Sequence, residues 1–138
     1  MIISTKGEYA LRVMTELAGL EKGERLPLKE IAQHQNISLK YLESIMALLS
    51  RNNLVEAASG KGGGYSLIRD ADQYSLLEIL NVTDGDLAPV SCNAVTGDGC
   101  DRLTGCPTYP VWRELSELIA GYLGGKTLND LRGISNDT

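Results

Sequence analysis

Residues 28–52 read LKEIAQHQNISLKYLESIMALLSRN, and their pattern of apolar residues indicates the fold of the chain. Apolar residues recur every three or four positions in two groups, which predicts one short helix over 28–35 and a second over 39–52. Asn36 and Ile37 form the turn between them, and Ser38 is well placed to cap the second helix. Two short helices joined by a turn of a few residues are the helix-turn-helix pattern, whose second helix is the recognition helix.

A helix precedes this motif and a β-hairpin follows it. Apolar spacing predicts the first helix over 6–20, with Thr5 and Glu8 as a capping box. Behind the motif, apolar segments at 54–57 and 65–68 flank the sequence SGKGGG at 59–64, which indicates a hairpin with a glycine-rich tip. A hairpin directly after a helix-turn-helix is a wing. We therefore expect a mainly α fold with a small β-hairpin wing, the winged helix-turn-helix.

The second half of the chain contains a helix, a long loop and a further helix. Ser75 and Glu78 form a capping box for a helix that ends near 84–85, whereas no periodicity survives over 86–107. From Pro110 onward an apolar stripe runs as far as the glycines at 124–125. Its members are Val111, Leu115, Leu118, Ile119 and Tyr122. A second subunit in a two-fold dimer would cover such a stripe, or the helix folds back on its own domain.

These features divide the chain into three parts. We expect a winged helix-turn-helix DNA-binding domain at 1–85, a cysteine-bearing loop at 86–109, and a dimerisation helix with a C-terminal turn at 110–138. The last turn covers 127–132, and the residues after it should fray.

Charge is distributed unevenly along the 138 residues, although the net charge is -5. Residues 1–69 carry 9 Lys and Arg against 7 Asp and Glu, a net +2, and residues 70–138 carry 4 against 11, a net -7. This asymmetry favours a first half that faces phosphate. The chain has no apolar run of about 18 residues and no secretory leader, so we expect a cytoplasmic protein without a membrane partner.

Two groups of side chains are candidates for DNA contact. At the start of the recognition helix Lys40 can hold phosphate, and Glu43 can accept a hydrogen bond from cytosine N4 unless it is an ordinary solvated residue. At the wing tip, glycines let the backbone and Lys61 approach DNA closely. The expected DNA contacts are Ser38, Lys40, Tyr41, Glu43, Lys61, Gly62, Gly63 and Tyr65.

All three cysteines lie in the loop, at Cys92, Cys100 and Cys106, with seven and then five residues between them. An odd number of cysteines in a reducing compartment favours a metal, a cluster or redox chemistry over a disulfide framework. Soft thiolates suit an iron-sulfur cluster, zinc or copper(I), and this spacing does not choose among them or exclude unligated redox thiols. With one histidine and no catalytic motif, the chain is not expected to be an enzyme or to take a small-molecule substrate.

A combination of short motifs carries a resemblance to a known family. The motifs are ISTKGEYA at 3–10, IA and IS at 31–32 and 37–38, YLE at 41–43, GKGGGY at 60–65, the three loop cysteines, and TLNDL at 127–131. Together they resemble the IscR/NsrR/CymR family of bacterial repressors over nearly the whole chain. The resemblance implies a homodimeric winged-helix transcription factor with a long dimerisation helix and a near-palindromic operator. With its three loop cysteines, the chain resembles the cluster-binding branch of this family. That resemblance implies a bound iron-sulfur cluster, with the 2Fe-2S type favoured over the 4Fe-4S type.

The sequence departs from the IscR pattern at the position of the fourth cluster ligand. IscR-like proteins have a histidine three residues after the last cysteine, and Tyr109 occupies that position here. The NO-sensing branch has an acidic ligand at the position that matches Glu8, contributed by the partner subunit, so Glu8 is a ligand candidate unless it serves only in the capping box. Further candidates for the fourth ligand are His34, Asp98, Asp101 and a non-protein group.

The expected function is therefore an iron-sulfur cluster-dependent repressor that senses iron-sulfur or redox status. A nitric-oxide-sensing repressor of the same family and a zinc or thiol-based redox-switch repressor are alternatives. A third alternative is an adaptor that uses the apolar C-terminal helix to bind protein and does not bind DNA.

Overall fold

The computed structural model describes residues 3–85 and 107–132. The helices are α1 (Thr5–Ala18), α2 (Leu28–Gln35), α3 (Leu39–Arg51), α4 (Leu76–Asp84), α5 (Tyr109–Gly124) and α6 (Leu128–Arg132). The strands are β1 (Val55–Ala58) and β2 (Gly64–Leu67), and a 3-10 turn spans Ala71–Gln73. Cys92, Cys100, Cys106, Asp98 and Asp101 lie outside the described residues.

The predicted winged helix-turn-helix is confirmed. Helices α2 and α3 form the motif, and the Ser38 hydroxyl caps α3 by accepting a hydrogen bond from the Tyr41 N–H at 3.1 Å. Strands β1 and β2 pair antiparallel, with Val55 opposite Leu67 and Ala58 opposite Gly64. The fold is mainly α with a small β-hairpin wing.

Helix α1 lies at the centre of the core and packs against α4, α6, α2 and α3. One face of α1 is apolar, and the residues on it are almost fully buried, as the helical spacing of the sequence predicts. The largest buried side chains of the core include Met14, Ile31, Leu42, Ile45, Met46, Tyr74 and Ile79. The recognition helix is therefore fixed by its apolar face to α1, and its polar face is left outside.

The predicted capping box of the first helix is wrong. The N-cap is Ser4, whose hydroxyl accepts a hydrogen bond from the Gly7 N–H at 2.9 Å, and Thr5 is the first helical residue. Glu8 therefore lies beyond the N3 position that a capping box requires, and its side chain is exposed. Ser4 takes the cap because Asp84 of α4 binds it, and local spacing cannot reveal a contact with the other end of the domain.

The Ser75 cap of α4 is confirmed, because the Ser75 hydroxyl accepts from the Glu78 N–H at 3.0 Å and α4 ends at Asp84. The other half of the predicted capping box is wrong, since the Glu78 carboxylate pairs with Arg69. The last helical turn also forms as predicted. Leu128 of α6 is buried, and its N–H donates to the Tyr74 carbonyl at 3.2 Å, so the turn packs beside the start of α4.

Helix α5 packs on α4, and Ile119 of its predicted apolar stripe is half-buried. A Cβ at Gly124 would lie 3.6 Å from Leu77 of α4, whereas Val111, Leu115, Leu118 and Tyr122 are 57%, 38%, 63% and 65% exposed. The helix thus folds back on its own domain and still leaves these four side chains of the stripe exposed. Within 3–85 and 107–132, none of the helices has the length and apolar character needed to cross a membrane.

Candidate nucleic-acid interface and sensor segment

The start of α3 presents the residues that the sequence assigned to DNA. Lys40 and Glu43 are exposed, and Ser38 is exposed while its hydroxyl holds the first turn. Tyr41 is half-buried. An exposed cation and an exposed carboxylate one turn apart fit the N-terminal end of a recognition helix, where side chains reach base edges and phosphates.

Tyr41 joins the recognition helix to α1. Its ring meets the ring of Tyr9 edge to face, with the centroids 6.0 Å apart and an interplanar angle of 89°. The guanidinium of Arg12 lies over the Tyr9 ring, 5.4 Å from its centroid. This contact between α1 and α3 was not predicted, because helical periodicity places Tyr9 and Tyr41 on their own helices but says nothing of how those helices cross.

The wing tip is a tight turn closed by glycines. The Gly63 N–H donates to the Gly60 carbonyl at 2.9 Å, and a Cβ at Gly63 would fall 2.5 Å from the Ala58 carbonyl oxygen. Lys61 and Gly62 are exposed at the tip, and Gly62 has a φ of 77°. The turn therefore holds the Lys61 backbone at the outermost point of the wing, as the glycine-rich sequence predicts.

The body of the wing is fixed to the segment that precedes α2. The Leu26 N–H donates to the Tyr65 carbonyl at 3.0 Å, and the Tyr65 N–H donates to the Leu26 carbonyl at 2.9 Å. Pro27, the next residue, is the N-cap of α2. The wing and the first helix of the motif are thus one unit, and the half-buried side chain of Tyr65 belongs to their junction.

Tyr74, which sequence analysis missed, holds the base of the wing. Its buried hydroxyl accepts hydrogen bonds from the N–H groups of Ile68 and Arg69, both at 3.0 Å, and donates to the Leu54 carbonyl at 2.7 Å. The Arg69 guanidinium lies 4.2 Å from the Tyr74 ring centroid and pairs with Glu78 at 2.9 Å. One phenol therefore connects the chain before β1 with the chain after β2, and Arg69 connects both to α4.

Among the fourth-ligand candidates, Glu8 and His34 lie in the described part of the chain. No hydrogen bond or ion pair engages the exposed Glu8 side chain within 3–85 and 107–132. His34 binds Glu16 through Nδ1, and this hydrogen bond and the Glu16 charge raise the pKa of His34 above 6.5. The Nδ1 atom of His34 is therefore occupied by Glu16.

The described ends of the cysteine segment are Gly85, after α4, and Pro107, before α5. Tyr109, in the place of the expected histidine, is the first residue of α5 and is half-buried. No group of three or more His, Cys, Asp or Glu side chains that could hold a metal occurs in residues 3–85 and 107–132.

A recognition helix with exposed polar side chains at its start, followed by a wing tied to its scaffold, defines a winged helix-turn-helix transcriptional regulator. The chain belongs to the Rrf2 family, described as iron-dependent transcriptional regulators, which matches residues 3–133. The resemblance drawn from the sequence is thereby confirmed, as is the expectation that the chain is not an enzyme.

Individual relatives agree with this assignment. The chain is 36% identical over 131 residues to the HTH-type transcriptional regulator IscR of Xenorhabdus nematophila, covering 95% of this chain and 79% of that one. Among solved structures, CymR (YrzC), the global cysteine regulator of B. subtilis, aligns with a TM-score of 0.82 and 30% identity over 99% of both chains. T. potens IscR aligns with a TM-score of 0.79 and 28% identity over 99% of this chain and 90% of that one.

Proposed function

We propose that this chain is an iron-sulfur cluster-dependent repressor that binds a near-palindromic operator as a homodimer in the cytoplasm and senses iron-sulfur or redox status. The observation that carries the proposal is the position of the cysteine segment. It begins directly after α4, whose last residue contacts the start of α1, and α1 contacts the recognition helix through Tyr9 and Tyr41. The family's description as iron-dependent and the IscR relatives support it further.

The ligands in this proposal are Cys92, Cys100 and Cys106, with Glu8 of the partner subunit as the fourth. Three thiolates and one carboxylate suit iron in a 2Fe-2S cluster, and a 4Fe-4S cluster has the same donors available. Glu8 is free to serve because Ser4, and not the Glu8 carboxylate, caps α1. Held by these residues, a cluster would connect the two subunits, and its loss through oxidation, NO or iron shortage would remove that connection.

The DNA contacts in this proposal come from both parts of the winged helix. Ser38, Lys40, Tyr41 and Glu43 would enter the major groove, and the wing residues Lys61, Gly62, Gly63 and Tyr65 would lie along the backbone or minor groove. A two-fold dimer places two such surfaces about 34 Å apart, one helical turn of DNA, which suits a near-palindromic operator. The exposed stripe on α5 supports that dimer.

The test for the cluster is anaerobic purification followed by iron and sulfide analysis and Mössbauer spectroscopy. We expect a coloured protein that absorbs broadly near about 400 nm, with iron and sulfide in amounts that give the cluster type. Replacing Cys92, Cys100 or Cys106 by Ser should remove the colour. A colourless protein without iron would contradict the proposal.

A zinc or thiol-based switch is the second candidate, since the structure also aligns with CymR, described as a global cysteine regulator. The same purification separates the two, because a zinc protein is colourless and a thiol switch changes operator affinity on oxidation without metal. An NO-sensing repressor would instead lose its visible absorption on anaerobic exposure to NO.

The role of Glu8 is tested by Glu8→Gln, which keeps the shape of the side chain but removes its charge. We expect a lower cluster content and a changed visible spectrum. Glu21→Gln serves as the control, because Glu21 is an exposed carboxylate in the turn after α1. If Glu8→Gln left cluster content, spectrum and operator affinity unchanged, Glu8 would not be the ligand.

DNA binding itself is tested by electrophoretic mobility shift with promoter DNA at two salt concentrations. Binding that falls steeply with salt indicates phosphate contacts. Each contact contributes about -0.9 to the slope of the logarithm of the binding constant against the logarithm of the salt concentration. An adaptor that binds only protein would show no shift at either concentration.

A further inference from the structure

The end of α4 is joined to the start of α1 by two hydrogen bonds, which we call the Ser4–Asp84 link. The Ser4 N–H donates to Asp84 Oδ2 at 2.8 Å, and the Ser4 hydroxyl donates to Asp84 Oδ1. The same hydroxyl accepts from the Gly7 N–H at 2.9 Å. One serine side chain therefore both caps α1 and attaches that cap to the last residue of α4.

The position of Asp84 is unfavourable for its own helix. A carboxylate in the last turn of α4 faces the negative end of that helix dipole, whereas the Ser4–Asp84 link places it at the positive end of α1. Burial raises the pKa of Asp84, but the hydrogen bonds from Ser4 and Thr83 and the charge of Lys6 together outweigh burial and hold this pKa below its usual value. The carboxylate thus stays ionised, and the helix that it stabilises is α1.

Gly7 allows the two helix ends to approach this closely. A Cβ at Gly7 would lie 2.9 Å from Asp84 Oδ1 and 3.1 Å from Leu80 Cδ2. A Cβ at Gly7 would therefore require the Asp84 carboxylate to shift from its position in the Ser4–Asp84 link. The first turn of α1 is therefore built around the Ser4–Asp84 link.

The link stands between the cysteine segment and the recognition helix. On one side, Asp84 is followed by Gly85 and then by the residues that carry the three cysteines. On the other, Ser4 begins the helix that carries Glu8 and Tyr9, and the Tyr9 ring contacts Tyr41 of the recognition helix. Through these contacts, a displacement of the end of α4 would move α1 and, with it, α3.

We propose that Asp84 is a positioning residue that, through Ser4, couples the state of the cysteine segment to the placement of α1 and hence of the recognition helix. This inference rests on the proposed function. Coupling requires that the Ser4–Asp84 link be stronger in one of the two states of the segment than in the other. The ratio of operator affinities in those two states then depends on the link.

Two variants break the link in different ways. Asp84→Asn removes the charge and one of the two acceptors. Ser4→Asp keeps the cap, because Asp caps helices about as well as Ser, but it places a second carboxylate against Asp84. Ser75→Asp is the matched control, since Ser75 caps α4 through the same hydrogen bond and, within the described residues, its hydroxyl is not hydrogen-bonded to a carboxylate.

The measurement is the ratio of operator Kd values for cluster-loaded and cluster-free protein, obtained anaerobically by fluorescence anisotropy at one salt concentration. In Asp84→Asn and Ser4→Asp we expect the ratio of the two Kd values to lie nearer to one than in wild type, by a factor of at least about 5. The iron and sulfide content of both variants should match that of wild type. Ser75→Asp should keep the wild-type ratio. Hydrogen exchange at the amides of 7–10 should differ between the two states in wild type and not in Asp84→Asn.

If the Ser4–Asp84 link were only structural, Asp84→Asn and Ser4→Asp would lower the melting temperature but keep the wild-type ratio of Kd values. That result would overturn the inference. If wild-type protein held no cluster, or bound the operator equally in both states, the proposed function would be contradicted and the inference with it. The wild-type measurement therefore separates the two failures.

Discussion

Gly64 begins strand β2 in a conformation that other residues rarely adopt. Its φ is 143°, and a Cβ there would fall 2.5 Å from the carbonyl carbon and oxygen of Leu26. These are backbone atoms of the segment that pairs with Tyr65, so they cannot give way as a flexible side chain would. The wing is therefore attached to the start of α2 at a position that requires glycine.

Gly64→Ala should lower the free energy of unfolding by at least about 2 kcal/mol, because it adds backbone strain and a steric clash. Gly23→Ala is the matched control: Gly23 has a φ of 90° but no atom within 4 Å of its Cβ position. The control should lose only about 1 kcal/mol. Urea unfolding of the cluster-free protein measures both, and equal losses would contradict the close approach.

The His34–Glu16 pair makes stability depend on pH. Glu16 raises the pKa of His34 through a hydrogen bond and its charge, so the folded value lies above the unfolded value of 6.5. The stabilisation is therefore complete below pH 6.5 and is lost as pH rises through the raised pKa. His34→Gln removes this contribution.

We expect wild-type protein to lose more stability than His34→Gln between about pH 5.5 and about pH 8.5 in urea unfolding. Glu16→Gln should weaken the pH dependence in the same way, because it removes the partner that raises the pKa. Parallel curves for all three proteins would show that the pair contributes nothing.

At the level of residues, the sequence predicted the roles of side chains that depend on residues close to them in the sequence. Ser38 and Ser75 cap their helices as expected, because a cap is a local contact within three residues. Ser4 was missed in favour of Thr5, since the contact that selects it comes from Asp84. Tyr74 was missed for the same reason: its three partners are defined only when the wing has folded.

The wing is the element whose orientation depends on one side chain. Tyr74→Phe keeps the buried ring but leaves the N–H groups of Ile68 and Arg69 and the Leu54 carbonyl without that partner. We expect the free energy of unfolding to fall by about 1–3 kcal/mol and operator affinity to fall with it.

If Tyr74→Phe unfolded at the same urea concentration as wild type, the hydroxyl would not hold the wing base. If stability fell but operator affinity did not, the wing would contribute nothing to DNA binding.

The elements themselves were predictable because their signals are local. Helical spacing, glycine-rich turns and capping residues placed α2, α3, the wing and α4 within one or two residues of their observed ends. The crossing of α1 over α3 through Tyr9 and Tyr41 was not predictable, since it depends on how whole helix faces pack. The geometry of the cysteine ligands lies outside the described residues and remains a prediction.

At the scale of the whole molecule, the apolar stripe of α5 exposes large side chains to solvent in a single subunit. Leu118 is 63% exposed within it. Leu118→Glu places a charge in the proposed dimer interface, so we expect sedimentation velocity to show a shift from dimer to monomer. Ala120→Glu is the control, because Ala120 is exposed two residues away on the other side of the helix.

Leu118→Glu should also weaken operator binding, since a monomer contacts one half-site. A dimer that persisted in Leu118→Glu, or dissociated equally in Ala120→Glu, would show that the stripe is not the interface.

The most direct test of a cluster-dependent repressor is the operator Kd of anaerobically purified protein before and after the cluster is removed with an iron chelator. We predict that the two Kd values differ by roughly 5- to 150-fold, the usual range for coupling between two sites. Equal Kd values, in protein shown to have lost its iron, would contradict the proposed sensing function.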